Sequence, residues 1–247
     1  MSLGHGGNIP AGRCFAFDAL NPKCYSGTGT TFKEIISGTS TTAVVTSSLQ
    51  MDSSLGRPHL RFTPAEVTRS AYIPFTVNLY DGPGVKVPTG SSCAWSWWSY
   101  LEDQGNASHV VMGWENGGAS IGANGFLFWT GWGTDGPRYG IAGTAYSIYN
   151  NLATADRFLT GVWQNWTVTF EGAVTNGLKT YRNGILLDET TPTTATISGL
   201  NNNQLFIGAS NVSGGNWGGY LDVVNMWNRA LSASEVSDLY EIYKGRF

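Results

Sequence analysis

The sequence predicts an all-β protein: a two-sheet antiparallel β-sandwich in one domain of 247 residues, with one short C-terminal helix. Composition is the first reason. Charged residues make up 13% of the chain, Gly fills 33 positions, and Trp, Tyr and Phe fill 10, 11 and 11, which suits short aromatic strands between Gly-rich turns better than long amphipathic helices. Alternation of period two is the second reason, and it recurs along the chain. Length agrees, because all-β sandwiches of this size are commonly undivided.

Taken in order, residues 1–12 are expected to be a flexible lead-in, with a first strand from Arg13 to Phe17. The Gly/Ser/Thr-rich stretch from Ser26 to Ser48 reads as loop or irregular strand. Strands are expected at His59 to Phe62, Tyr72 to Val77, Cys93 to Tyr100, His109 to Trp114, Gly125 to Trp129 and Tyr139 to Ile141. Within Cys93 to Tyr100, alternation puts Cys93, Trp95 and Trp97 on one face and Trp98 and Tyr100 on the other. Both faces cannot be bare, so Trp95 and Trp97 are assigned to the core and Trp98 and Tyr100 to the floor of a concave face.

Trp166, Val168 and Phe170 share one face of the next strand, and Thr167 and Thr169 share the other. Asn183-Gly184 between Lys179–Arg182 and Ile185–Leu187 favours a type I′ hairpin, because both residues tolerate positive φ. Leu205 to Gly208 and Tyr220 to Trp227 complete a set of roughly ten to fourteen strands, the pattern of a sandwich or barrel. Ser232 and Glu235 have capping-box spacing, and Val236, Leu239 and Tyr243 follow at helical spacing, so a helix is expected from about Ser234 to Tyr243.

Charge and motifs exclude several functions. With 14 Lys and Arg scattered against 17 carboxylates, no basic stripe could track phosphates, so nucleic acid is not an expected partner. No stretch approaches the roughly 20 apolar residues of a membrane span. Met1 to Pro10 lacks the charged and apolar regions of a secretory signal, so folding without one is expected. Cys14, Cys24 and Cys93 are an odd count without metal-site spacing; free thiols are expected, with a Cys14–Cys24 bridge as the alternative. His5, His59 and His109 lack any catalytic motif and read as surface or strand-face residues.

Two stretches carry a family resemblance. Trp163-Gln-Asn-Trp166-Thr-Val-Thr-Phe170, Tyr181-Arg-Asn183-Gly184, Phe206-Ile207-Gly208, and Gly219 through Asp222, Asn228-Arg229 and Ser232 to Glu235 follow in order the run that closes laminin-G-like jelly rolls. Phe17-Asp18-Ala19, Asn21-Pro22, Tyr25, Gly27, Gly29-Thr30-Thr31 and Phe32 resemble the opening of laminin-G-like structural proteins of tailed bacteriophages. The resemblance implies a concanavalin A-like jelly roll over the whole chain, residues 1–247. It also implies a virion or extracellular surface module that binds a glycan or a neighbouring protein, with a homo-oligomer as one arrangement. Calcium, which relatives on this fold use, is implied as a cofactor only at dispersed acidic residues: Asp81, Glu102, Asp103, Glu115 and Asp135.

A glycan site needs an exposed aromatic plate beside fixed donors and acceptors. Trp132, Asp135, Arg138 and Tyr139, in what reads as a Gly-rich loop, supply both. The alternative is that Trp132 folds back as an anchor while Asp135-Gly-Pro makes a turn. Trp217, flanked by glycines, is a second candidate, against packing under the C-terminal helix; Trp98 and Tyr100 are a third. Glycosidases on such a fold place two carboxylates on one strand face, and no Glu-x-Asp-x-Glu occurs, so a binding role is expected and a hydrolase is the lesser alternative.

Overall fold

A computed structural model describes residues 8–45, 49–57, 59–62, 71–77, 84–102, 109–114, 125–131, 134–141, 144–147, 158–194, 196–197, 204–209 and 217–247. The strands are β1 (Arg13–Phe17), β2 (Thr31–Lys33), β3 (Ser40–Thr42), β4 (Val44–Val45), β5 (Leu49–Asp52), β6 (His59–Phe62), β7 (Ala71–Thr76), β8 (Cys93–Leu101) and β9 (Val110–Trp114). They continue as β10 (Phe126–Gly131), β11 (Thr134–Ile141), β12 (Thr144–Ser147), β13 (Trp163–Phe170), β14 (Leu178–Arg182), β15 (Ile185–Thr190), β16 (Gln204–Ile207) and β17 (Gly219–Trp227). Helix α1 (Ala233–Tyr243) and a 3₁₀ turn (Lys244–Arg246) follow.

Two antiparallel sheets form the sandwich. One runs β15-β14-β13-β8-β17-β6-β5, with β1 also on the edge of β17; the other runs β12-β11-β10-β9-β16-β7-β4. Trp95, Trp97, Trp166, Val168 and Phe170 of the first sheet join Phe75, Met112, Trp114, Phe126 and Phe128 of the second in one buried cluster. The alternation read from β8 and β13 therefore sorts inward from outward residues correctly. Thr167 and Thr169 are nevertheless buried, because the outer face of this sheet is roofed by α1, whose Val236 and Leu239 pack with Ala94, Tyr181 and Trp227.

The hairpin and the cap form as expected. Asn183 and Gly184 both have positive φ, and Ser232 and Glu235 make the reciprocal capping box. Cys14, Cys24 and Cys93 are free and buried, and burial pushes each thiol up to about 12. One expectation is corrected: Pro10, Ala11 and Gly12 are not loose, because their carbonyls accept from Trp227 Nε1, Arg229 Nε and the Asn228 N–H. Residues 1–7 lie outside the described residues.

Strand β17 does not alternate strictly. Asp222 stands opposite Trp98 and Asn225 opposite Ser96, so Val223 and Val224 together oppose one residue of β8. Val223 has φ +48, a left-handed conformation costly for a β-branched residue, and its N–H is held by Asp222 Oδ1 at 2.9 Å. The bulge puts Leu221, Val224 and Met226 in the core while Asp222 and Asn225 both face outward, an assignment no unbroken alternation could give.

Candidate functional site

The outer face of the first sheet is polar under α1 and aromatic beyond it. Under the helix, Asn165 Nδ2 donates to Ser96 Oγ and to the Trp97 carbonyl, and Thr167 Oγ1 donates to Ser96 Oγ at 3.0 Å. Beyond it, β8 presents Trp98 and Tyr100, β13 presents Trp163, β17 presents Tyr220 and β6 presents His59. Register assembles this set: Trp163 lies opposite Tyr100, which lies opposite Tyr220. The ring centroids of Tyr100 are 5.8 Å from Trp163 and 5.5 Å from Tyr220, in edge-to-face arrangements.

Phe247 closes over this floor, stacked on Trp98 at 4.3 Å and tilted against Trp163 at 4.6 Å. Its neighbour Arg246 is clamped by Asp18, whose two oxygens accept from both guanidinium nitrogens at 2.7 and 2.8 Å. The pair Trp163–Phe247 divides the groove into two open depressions of about 480 and 420 Å³. Arg57, His59 and Arg246 line the first; Trp98, Tyr100, Tyr240 and Lys244 line the second.

Beneath the first depression, buried His59 meets buried Asp222 at 3.3 Å, and Arg246 Nη2 is 4.0 Å from the same Asp222 oxygen. Burial raises the Asp222 carboxyl above its ordinary range, against the His59 contact that lowers it. At the side of the groove, Arg61 is held by both Glu102 oxygens and lies 3.6 Å from Asp52. The Ser54 N–H, 2.7 Å from Asp52 Oδ1, holds the Asp52 carboxyl below its ordinary range. Both carboxylates thus share one guanidinium.

Of the candidate residues read from the sequence, the structure brings together Trp98 and Tyr100. Tyr100 is half-buried in the groove wall, and Trp98 is buried beneath Phe247 and Tyr240. Trp217 is corrected: it is 0% exposed, its Nε1 donates to the Tyr220 carbonyl, and its ring packs on Phe158 and His109 inside the sandwich. Its flanking glycines do not leave it uncovered, because the cover comes from residues distant in the chain, and α1 is not the element it packs under.

Tyr139 is corrected too. It is 1% exposed, faces the core, and its hydroxyl lies 2.9 Å from Thr180 Oγ1 of the opposite sheet. Asp135 and Arg138 lie on strand β11, paired with β10, rather than in a loop. Arg138 belongs to the second sheet, apart from the Trp98–Tyr100 groove. Trp132, with Asp81, Asp103 and Glu115, lies outside the described residues. Among the described residues no group of three or more His, Cys, Asp or Glu is placed to hold a metal ion.

The residues that sequence reading missed are Trp163, His59 and Phe247. The signal for Trp163 was present: it has the opposite parity to Trp166, Val168 and Phe170, and therefore faces outward.

A family model described as the concanavalin A-like lectin/glucanases superfamily matches residues 76–237, well over half of the chain. The chain belongs to that superfamily. No curated protein sequence matches this lectin-like domain. Among solved structures, the binding domain of Paraclostridial Mosquitocidal Protein 1 is similar with a TM-score of 0.64 at 16% identity, over 96% of this chain and 53% of that one. Trypanosoma rangeli sialidase is similar with a TM-score of 0.61 at 12% identity, over 96% of this chain and 34% of that one. Domain 4 of AbnA, a GH43 extracellular arabinanase from Geobacillus stearothermophilus solved with arabinotriose, is similar with a TM-score of 0.59 at 14% identity, over 92% of this chain and 98% of that domain. The lectin-like domain thus spans about a third of the sialidase and half of the mosquitocidal protein's binding domain, and at these identities the likeness is one of fold.

Proposed function

We propose that this domain is a non-catalytic carbohydrate-binding module whose platform is the Trp163 groove. The observation that carries the reading is the half-exposed Trp163 ring beside Tyr100, in an open groove whose rim holds fixed charged groups. A sugar ring has an apolar C–H face and a polar edge, and such a plate with flanking donors meets both. Two features support binding over hydrolysis. Among the described residues no Asp or Glu side chain lines either depression, and the nearby Asp52 and Glu102 are both engaged by Arg61 rather than set apart as acid and nucleophile. Solved relatives that are binding domains, or that hold arabinotriose, fit the same reading.

A place on a phage virion surface is the finer reading, supported by the resemblance of Phe17 to Phe32, and it is tested by antibody labelling of purified particles. The binding role is tested on a glycan array with wild type and Trp163→Ala. Specific binding lost in a folded Trp163→Ala protein supports it. A blank array with folded wild type rejects it.

One observation favours a second role in self-association. Edge strand β15 leaves Ile185 68% and Leu186 44% exposed, side chains that a second copy could cover. Sedimentation of wild type against a double variant, Ile185→Lys with Leu186→Lys, decides it: an oligomer that this variant splits supports the role, and a monomeric wild type ends it.

A further inference from the structure

We infer that the groove is built for an acidic oligosaccharide, one bearing a carboxylate or sulfate, with the charged group received in the half lined by Arg57 and Arg246. This deepens the carbohydrate reading and rests on it.

The argument starts from a charge imbalance. The chain is acidic overall, with 14 Lys and Arg against 17 Asp and Glu. The two depressions astride Trp163 reverse that balance: Arg57, Arg246 and Lys244 line them together with His59, and among the described residues no Asp or Glu side chain does. The depression of about 300 Å³ at the other end of α1 makes the contrast, since Glu171 and Glu235 there balance Lys179 and Arg229. Basic lining therefore marks the aromatic groove and is not shared by the depression at the other end of the helix.

The cations are not equivalent. Arg246 is committed to Asp18 through both terminal nitrogens, and Lys244 pairs with Glu241 on the helix. Arg57 sits exposed on the turn after β5 and has no carboxylate partner among the described residues. Its guanidinium is a planar fork suited to a carboxylate or a sulfate, and it is free to accept one. In the same depression the Trp163 ring supplies the plate on which the sugar bearing that group lies. Arg57 is thus the charge-selecting residue and Trp163 the stacking residue.

The test is an array of matched pairs: oligogalacturonate with its methyl ester, sialyllactose with lactose, and sulfated with unsulfated N-acetyllactosamine, plus polyglutamate as a non-sugar polyanion. It is read with wild type, Arg57→Gln, Lys244→Gln and Trp163→Ala, each checked for an unchanged melting temperature except the last. Acidic members are expected to bind while their neutral partners do not, and the carboxylated and sulfated pairs distinguish the two anions. Arg57→Gln is expected to weaken binding about tenfold, and added salt to weaken wild type progressively. Neutral members bound as tightly as acidic ones would overturn the inference and leave the carbohydrate reading standing. So would acidic binding that survives Arg57→Gln intact, or polyglutamate bound as well as the sugars. Failure of every sugar would sink both.

Discussion

Trp163 and Trp166 are three residues apart on one strand and face opposite ways: Trp166 is fully buried between the sheets against Phe158, and Trp163 is half-exposed beside Tyr100. Odd spacing on a pleated strand makes that division. The two residues should therefore separate stability from binding. Trp166→Ala is expected to cost about 3–5 kcal/mol and to lower the melting temperature sharply. Trp163→Ala is expected to leave a folded protein that has lost glycan binding. Thermal unfolding and array binding on the same two variants check it, and equal destabilisation by both would contradict the assignment.

The same parity explains what was legible in the sequence. The inward set on β8 and β13, the Asn183-Gly184 hairpin and the Ser232–Glu235 cap all depend on neighbours within one strand or turn, and each reads directly. The groove depends on which strands lie side by side, since Tyr100 meets Trp163 and Tyr220 only through registers between β8, β13 and β17. Periodicity carries no such information. Exposure fails for a related reason: glycines around Trp217 describe its local chain, whereas Phe158 and His109 bury it from elsewhere. Asp135-Gly-Pro reads locally as a turn that would expose Tyr139, yet pairing with β10 keeps that segment in the sheet.

The clamp between Asp18 and Arg246 positions Phe247 over Trp98 and Trp163. Removing it should release the last turn without unfolding the sandwich, because the core cluster does not include Arg246 or Phe247. Asp18→Asn is expected to cost about 1–3 kcal/mol locally and to raise amide exchange in residues 244–247. Hydrogen exchange resolved to the C-terminal peptide measures it; unchanged protection there would show that aromatic stacking alone holds the segment.

Acid should loosen the roof before the sandwich. The Arg229 guanidinium, with the Ser232 N–H, holds the Glu235 carboxyl well down, to about 2 from 4.5, despite partial burial. A carboxyl depressed on folding contributes stability that is present above the unfolded value near 4.5 and is lost as pH falls toward 2. The pair is about a third exposed, so solvent screening limits the contribution to about 1 kcal/mol. Wild type should therefore melt higher than Glu235→Gln at pH 6, and the gap should close by pH 2. Parallel melts of the two proteins across that range check the sign.

Gly219 is where stability and the groove meet. It opens β17 with φ +140, paired with Phe62 on one side and Leu101 on the other, and an added Cβ would lie 2.2 Å from the Tyr100 carbonyl oxygen and 2.9 Å from the Glu102 nitrogen. Both close atoms are backbone in the middle of a sheet, so neither can turn aside as a flexible side chain would. Gly219→Ala must strain its own φ and also push β8 away at the residue that carries the groove wall. The expected result is a loss of about 3 kcal/mol or more and, in whatever folds, weakened glycan binding through displaced Tyr100. Gly27→Ala supplies the control, since Gly27 lines neither depression, and its positive φ faces open space with nothing within 4 Å and should carry only the backbone cost. Melting temperatures and array binding of the two alanine variants should therefore diverge; matching behaviour would mean that the close approach between β17 and β8 is not what requires glycine there.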